Sequence, residues 1–184
     1  MLKFTLSIPV ILFAFFLNFF NLKSEKIHDG NNITICHNQA DDMKQFAFDP
    51  TFQALHFSPK AIDFQGIGKA VTFATTDGTD AKGYLIKAKK NSKKWLFVYQ
   101  EWWGLNDNIR QQADIFYNDL GGKVNILAID MYDGQVTTNP QEAGKLMSSM
   151  KEPRLESIVK GAFKMAGPKA KVANVGWCFV VVGR

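Results

Sequence analysis

Two near-continuous apolar runs, Trp95-Leu96-Phe97-Val98-Tyr99 and Val124 to Ile129, bracket a segment of different period, and this pattern constrains the fold more than any other feature. A short unbroken apolar run suits a strand covered on both faces, the environment typical of a parallel sheet. Between the runs, Asn106 to Leu120 places Ile109, Ala113, Phe116 and Leu120 at helical spacing and stops at Gly121-Gly122. Strand, helix, strand in that order predicts a parallel crossover.

The flanking sequence extends the pattern. Ala70 to Thr76 and Gly83 to Ala88 are β-rich and joined by Asp77-Gly78-Thr79-Asp80, which predicts a hairpin. Pro140 to Met150 and Arg154 to Ala166 predict helices, the second with Leu155, Ile158, Val159, Ala162 and Phe163 along one stripe. Lys171 to Val175 predicts a last strand, ended by Gly176. The expected fold class is therefore α/β, with three layers and a mostly parallel sheet led by a β-hairpin. In such sheets function gathers at the carboxyl ends of the strands. Three ends are visible: Gln100 to Asn106, Asp130 to Gln135 and Gly176 to Val180.

The amino-terminal part reads differently. Lys3 precedes an apolar run from Leu6 to Phe20 that closes before Lys23, so residues 1–24 are expected to be a signal peptide and the protein to be exported, periplasmic or secreted. The alternative is a membrane tether through residues 5–22, a stretch at the lower limit for spanning and without an A-x-A cleavage site. The mass of the mature amino terminus separates the two. Residues 25–68 carry Asn31, Asn32, Asn38, Asp41 and Asp42 without a sustained period, and read as a leader that wraps the surface or stays loose. Residues 69–184 remain for the α/β domain.

Composition excludes several partners. Lys plus Arg number 22 against 17 Asp plus Glu, a net +5 that falls to +3 without residues 1–24, too weak a field to imply nucleic acid. Cys36, His37, His28 and His56 fit no zinc spacing, and Asp130, Asp133 and Gly134 lack the bidentate glutamate of a calcium loop. No metal and no cofactor are expected. Cys36 and Cys178 allow one disulfide, which would silence Cys178 and is not expected.

Gly176-Trp177-Cys178-Phe179-Val180 directly follows a predicted strand and has the arrangement of a nucleophile elbow, G-x-S-x-G, with cysteine for serine and valine for the second glycine. A sharp strand-to-helix turn lifts the thiol above the sheet, and a helix amino terminus favours the thiolate. A buried structural cysteine is the plainer alternative for this motif alone. As a set, Gln100-Glu101-Trp102-Trp103-Gly104-Leu105-Asn106 with Arg110 downstream, Asp130-Met131-Tyr132 after the next strand, and Gly176-Trp177-Cys178-Phe179 closely resemble the dienelactone hydrolase family over roughly residues 69–179. The resemblance implies an α/β-hydrolase fold with Cys178 as nucleophile and Glu101 taking part in its activation. It also implies an oxyanion hole made by the backbone N–H groups of Trp102 and Phe179. The implied reaction is hydrolysis of a small-molecule ester or lactone through an acyl-enzyme. Plainer roles compete at each position: Glu101 as a helix cap or solvated carboxylate, Trp102 and Trp103 as core aromatics, Asp130 as a cap for the loop that follows it.

The carboxyl-terminal sequence departs from the family. Its order is nucleophile, acid, histidine, but His28, His37 and His56 all precede Cys178, and only six residues follow it. Relatives typically continue with glycines and a tryptophan, whereas this chain reads Phe179-Val180-Val181-Val182-Gly183-Arg184. Loss of the first base from GGT GGT GGT TGG turns Gly-Gly-Gly-Trp into Val-Val-Val-Gly. The expectation is an incomplete α/β-hydrolase, truncated by a frameshift just after its elbow and inactive as it stands. The alternative is a non-catalytic exported or membrane-tethered binding protein derived from the same fold. Genomic DNA read onward in the shifted frame discriminates them, since only the first requires further strands, an aspartate and a histidine there.

Overall fold

The structure is a computed structural model in which residues 46–177 are described. In chain order the elements are α1 (Pro50–Leu55), β1 (Lys69–Phe73), β2 (Ala81–Ile86), β3 (Lys94–Tyr99), α2 (Asp107–Asp119), β4 (Asn125–Ile129), α3 (Pro140–Ser149), α4 (Glu152–Ala166) and β5 (Lys171–Gly176). The strands form one sheet in the order β1-β2-β4-β3-β5. The hairpin strand β2 runs antiparallel to β1 and to β4, while β3 runs parallel to β4 and to β5. A leading hairpin thus joins a three-strand parallel block, and the expected α/β class holds.

The two apolar runs become the central neighbours β3 and β4, and every residue of β4 is buried. Their side chains alternate between two cores, as the period of two along a strand requires. Phe97, Tyr99, Leu127 and Ile129 face one side, with Leu155, Ile158, Val159 and Ala162 of α4. Val98, Ile126 and Ala128 face the other, with Ile109, Ala113 and Tyr117 of α2. Helix, sheet and helix make three layers. Gly83 permits the close approach of β2 to β4, because a Cβ there would stand 2.7 Å from the Ala128 carbonyl oxygen. The last strand, β5, pairs with β3 on one side, and no strand among the described residues pairs with its other edge.

Residues 46–68 run along the domain as a strap. Asp49 caps α1 by accepting from the Phe52 N–H at 2.7 Å, with Pro50 at the first helical position. Further on, the Gly68 N–H donates to the Tyr84 hydroxyl at 2.6 Å, the Ile67 N–H to Asp114 at 3.1 Å, and the Asn108 amide to the Lys60 carbonyl at 3.0 Å. Among the described residues no helix is long and apolar enough to cross a membrane.

Arg154, near the start of α4, ties the hairpin tip to the loop after β4. Its guanidinium donates to the Asp77 carboxylate at 3.1 Å, the Thr79 carbonyl at 2.7 Å, the Asp80 carbonyl at 3.1 Å and the Asp133 carboxylate at 3.2 Å. Hydrogen bonds from Thr75 and the Thr79 backbone, joined by Arg154, hold the Asp77 carboxyl down at about 2. A carboxyl depressed on folding stabilises above its ordinary range and loses that contribution as pH falls through its folded value. Arg154→Met should therefore lower the urea midpoint at neutral pH. The difference from the parent should shrink as pH falls from about 4 to about 2; a pH-independent difference would contradict the charge-based clamp.

Candidate active site

The parallel register sets three strand ends level. Tyr99 pairs with Ile129 on one side and with Gly176 on the other, so β3, β4 and β5 leave the sheet together at one edge. The loops beginning at Gln100 and Asp130, and the segment entered at Trp177, therefore arise side by side. Glu101 and Trp102 lie in the first of these loops. Cys178 and Phe179 lie outside the described residues, as do residues 1–45 with the apolar amino terminus, Cys36, His28 and His37.

The loop after β3 is a tight turn. The Gly104 N–H donates to the Glu101 carbonyl at 3.2 Å, the Asn106 N–H donates to the Gly104 carbonyl at 2.9 Å, and Asn106 then caps α2 by accepting from the Ile109 N–H at 3.1 Å. Gly104 has φ of +90°, and a Cβ there would collide with the Gln135 carbonyl oxygen, so the position needs glycine on two counts. The Thr137 N–H donates to the Trp103 carbonyl at 3.1 Å, which binds this turn to the loop after β4. A second bridge crosses between the same strand ends: the buried Gln100 side-chain oxygen accepts from the Met131 N–H at 3.1 Å.

Trp102 and Trp103 are fully buried beneath the strap, their rings 4.7 Å apart, in a cluster with Ala47, Ala143 and Met147. Phe52 of α1 meets Trp102 edge-on at 5.3 Å. Both tryptophans are thus core aromatics as side chains. The backbone N–H of Trp102 donates to no acceptor among the described residues. Its indole N–H and the Gln100 side-chain nitrogen are likewise buried without a partner there, and a buried donor left unmade costs about 1–3 kcal/mol.

Two carboxyls stand at the strand ends, both pushed upward chiefly by burial. Glu101 is half-buried, no described residue donates a hydrogen bond to its carboxylate, and the charge of His56 partly offsets the effect of burial. It does not cap α2, which is the task of Asn106. Asp130 is buried and accepts from the Tyr132 N–H at 2.9 Å and from the Gly134 N–H, so it caps the following loop. Asp133 adopts φ of 54° within that loop and is held by Arg154. Among the described residues no cluster of His, Cys, Asp or Glu could hold a metal ion.

His56 at this site is not foreseeable from chain position, since it stands 45 residues before Glu101 in a segment without period. Its ring packs 5.3 Å from the Trp102 ring. The legible signal was upstream, in Asp49-Pro50, an N-cap residue followed by proline that announces a helix start.

A three-layer α/β sheet whose parallel strands β3, β4 and β5 end level along one edge fits the architecture of an α/β-hydrolase. The model of the dienelactone hydrolase family matches residues 81–182, more than half of the chain, and the chain belongs to that family. A protein of Aquifex aeolicus (strain VF5) named as a carboxymethylenebutenolidase is 34% identical over 99 residues, covering 50% of this chain and 39% of that protein. Protein usf of Aquifex pyrophilus is 35% identical over 95 residues, with the same shares. The chain thus spans about two fifths of the length of these relatives. Two solved structures, m3DLH and the dienelactone hydrolase-like promiscuous phosphotriesterase P91 from metagenomic libraries, are 26% and 25% identical, with TM-scores of 0.47 and 0.48. Each matches 62% of this chain and 51% of its own.

Proposed function

We propose that this chain carries the nucleophile half of a hydrolase acting on small-molecule carboxylic esters or lactones, with Cys178 as nucleophile and Glu101 as its partner. The observation that carries the proposal is the loop after β3, where the half-buried Glu101 carboxyl stands next to a Trp102 backbone N–H that no described residue engages. Family membership supports the reaction class. Burial raises the affinity of Glu101 for a proton, which makes its carboxylate a stronger base than a solvated one. Glu101 accepts the thiol proton as the Cys178 sulfur attacks the ester carbonyl carbon. The carbonyl oxygen then takes the negative charge and is stabilised by the N–H groups of Trp102 and Phe179. Collapse breaks the bond to the leaving oxygen, which receives the proton from Glu101, and a thioester on Cys178 remains.

Acylation in this scheme needs only Cys178, Glu101 and the two N–H groups, whereas hydrolysis of the thioester needs a further base to activate water. We expect acylation to outrun hydrolysis in a polypeptide of these 184 residues. With p-nitrophenyl acetate, the chain should release about one equivalent of p-nitrophenol in a burst, with the acetyl group mapped by peptide mass to Cys178 and not to Cys36. Glu101→Gln should slow the burst about 100-fold. Continued turnover that survives Cys178→Ala, or an unlabelled Cys178, would overturn the proposal.

A further inference from the structure

The net charge of the chain is modest, but its lysines are unevenly placed. At the sheet edge opposite the candidate active site β2 ends and β4, β3 and β5 begin, and in that spatial order each strand brings exposed lysines to the edge. Lys87, Lys89 and Lys90 follow the end of β2, and Lys123 precedes β4. Lys93 and Lys94 lead into β3, as Lys169 and Lys171 lead into β5. No acid occurs between Ala81 and Gln100, between Leu120 and Ile129, or between Ser157 and Trp177. Asp119, the last residue of α2, is the acid nearest to any of these lysines in sequence. Among the described residues none of them pairs with a carboxylate.

These segments are tied to one another. The buried Asn125 amide, at the start of β4, donates to the Ser92 carbonyl at 2.8 Å and the Lys94 carbonyl at 3.1 Å, and its oxygen accepts from the Ala88 N–H at 3.1 Å. The Lys89 N–H donates to the Gly122 carbonyl at 2.9 Å, and the Lys171 N–H to the Lys93 carbonyl at 2.7 Å. Two of the side chains lie against the fold: the Lys87 Nζ stands 4.6 Å from the centre of the Trp95 ring, and the Lys89 stem crosses Gly122, where a Cβ would come within 2.9 Å of it. Lys94 and Lys171 are register partners on neighbouring strands, about 4.8 Å apart. Like charges opposite one another weaken a sheet, so stability does not account for the row.

We propose that this lysine edge docks on an anionic phospholipid surface. A row of unpaired ammonium groups across three strand spacings, about 14 Å, is complementary to an array of lipid phosphates. Reading Leu6 to Phe20 as an export signal or tether sets such a surface beside the protein, and this inference takes that reading as its context. Residues 21–45 can extend about 80 Å, so a tethered amino terminus leaves the lysine edge free to turn to the bilayer. Docked in this way, the ends of β3, β4 and β5 face water and small soluble substrates.

The test uses the full chain with vesicles of phosphatidylcholine alone or with about 30% phosphatidylglycerol. Acetylation of lysines by an N-hydroxysuccinimide ester, mapped by peptide mass, should slow about threefold or more at Lys89, Lys90, Lys93 and Lys94 on the anionic vesicles only, and not at Lys60 or Lys145. About 0.5 M salt should abolish the protection. In co-sedimentation, any preference for anionic over neutral vesicles should fall about tenfold when those four lysines become glutamine. It should persist when Lys60, Lys145, Lys151 and Lys160 are changed instead, a set that removes the same charge. Protection that is equal on neutral vesicles, or spread evenly over all lysines, overturns the proposal. So does its absence on anionic vesicles, including the case in which the same lysines are protected by duplex DNA instead.

Discussion

The parallel pairing of β3 with β4 on one side and β5 on the other is the constraint on which the rest of the molecule depends. It places Tyr99 level with Ile129 and Gly176, and so decides which loops can share a site. The pairing is held by what covers it. Phe97 is fully buried and meets Phe163 of α4 edge-on at 5.1 Å, while Val98 and Ala128 close the opposite face against the core that includes α2. Each such large side chain contributes about 1.5–3 kcal/mol through burial. A slip of one residue would turn both apolar sets toward the wrong helix layer, so the register is specified from both faces at once.

The scaffold and the site use carboxylates in opposite senses. Asp77 is held ionised by donors and by Arg154, so it favours the folded chain above the ordinary carboxylate range. Glu101 and Asp130 are pushed the other way by burial, and ionising them costs the fold stability as pH rises past that range. Asp130 recovers part of that cost through the N–H groups of its own loop. Glu101 has no such donors among the described residues. A half-buried carboxyl that no described residue engages gains little stability from its place, and functional sites are where such arrangements gather.

Much of this was legible because it is local. The hairpin is written in Asp77-Gly78-Thr79-Asp80, α2 in the cap Asn106 and the spacing of Ile109 and Ala113, and the last strand in the apolar residues that stop at Gly176. The motif residues Glu101 and Trp102 fall where a strand end predicts them, although their roles in chemistry stand as proposals. What escaped was short or tertiary. α1 has six residues and no buried side chain, too little for a periodic signal, and only its Asp49-Pro50 start betrays it. The contact of His56 with Trp102 depends on the path of the strap, held by hydrogen bonds such as that from Ser58 to Thr138, 80 residues apart. Strand order was equally hidden, since nothing in the period of β4 announces that it lies between β2 and β3.

The central proposal is that the ends of β3 and β5 bring position 101 and position 178 into one site. Each lies two residues beyond the paired Tyr99 and Gly176, and neighbouring strands run about 4.8 Å apart. A disulfide needs Cα atoms about 4.4–6.8 Å apart. The most direct measurement is therefore oxidation of the full chain carrying Glu101→Cys with Cys36→Ser, read by peptide mass mapping. An intramolecular bond between positions 101 and 178 is the predicted result. Two thiols that stay free, or that join only between separate chains, would contradict the account.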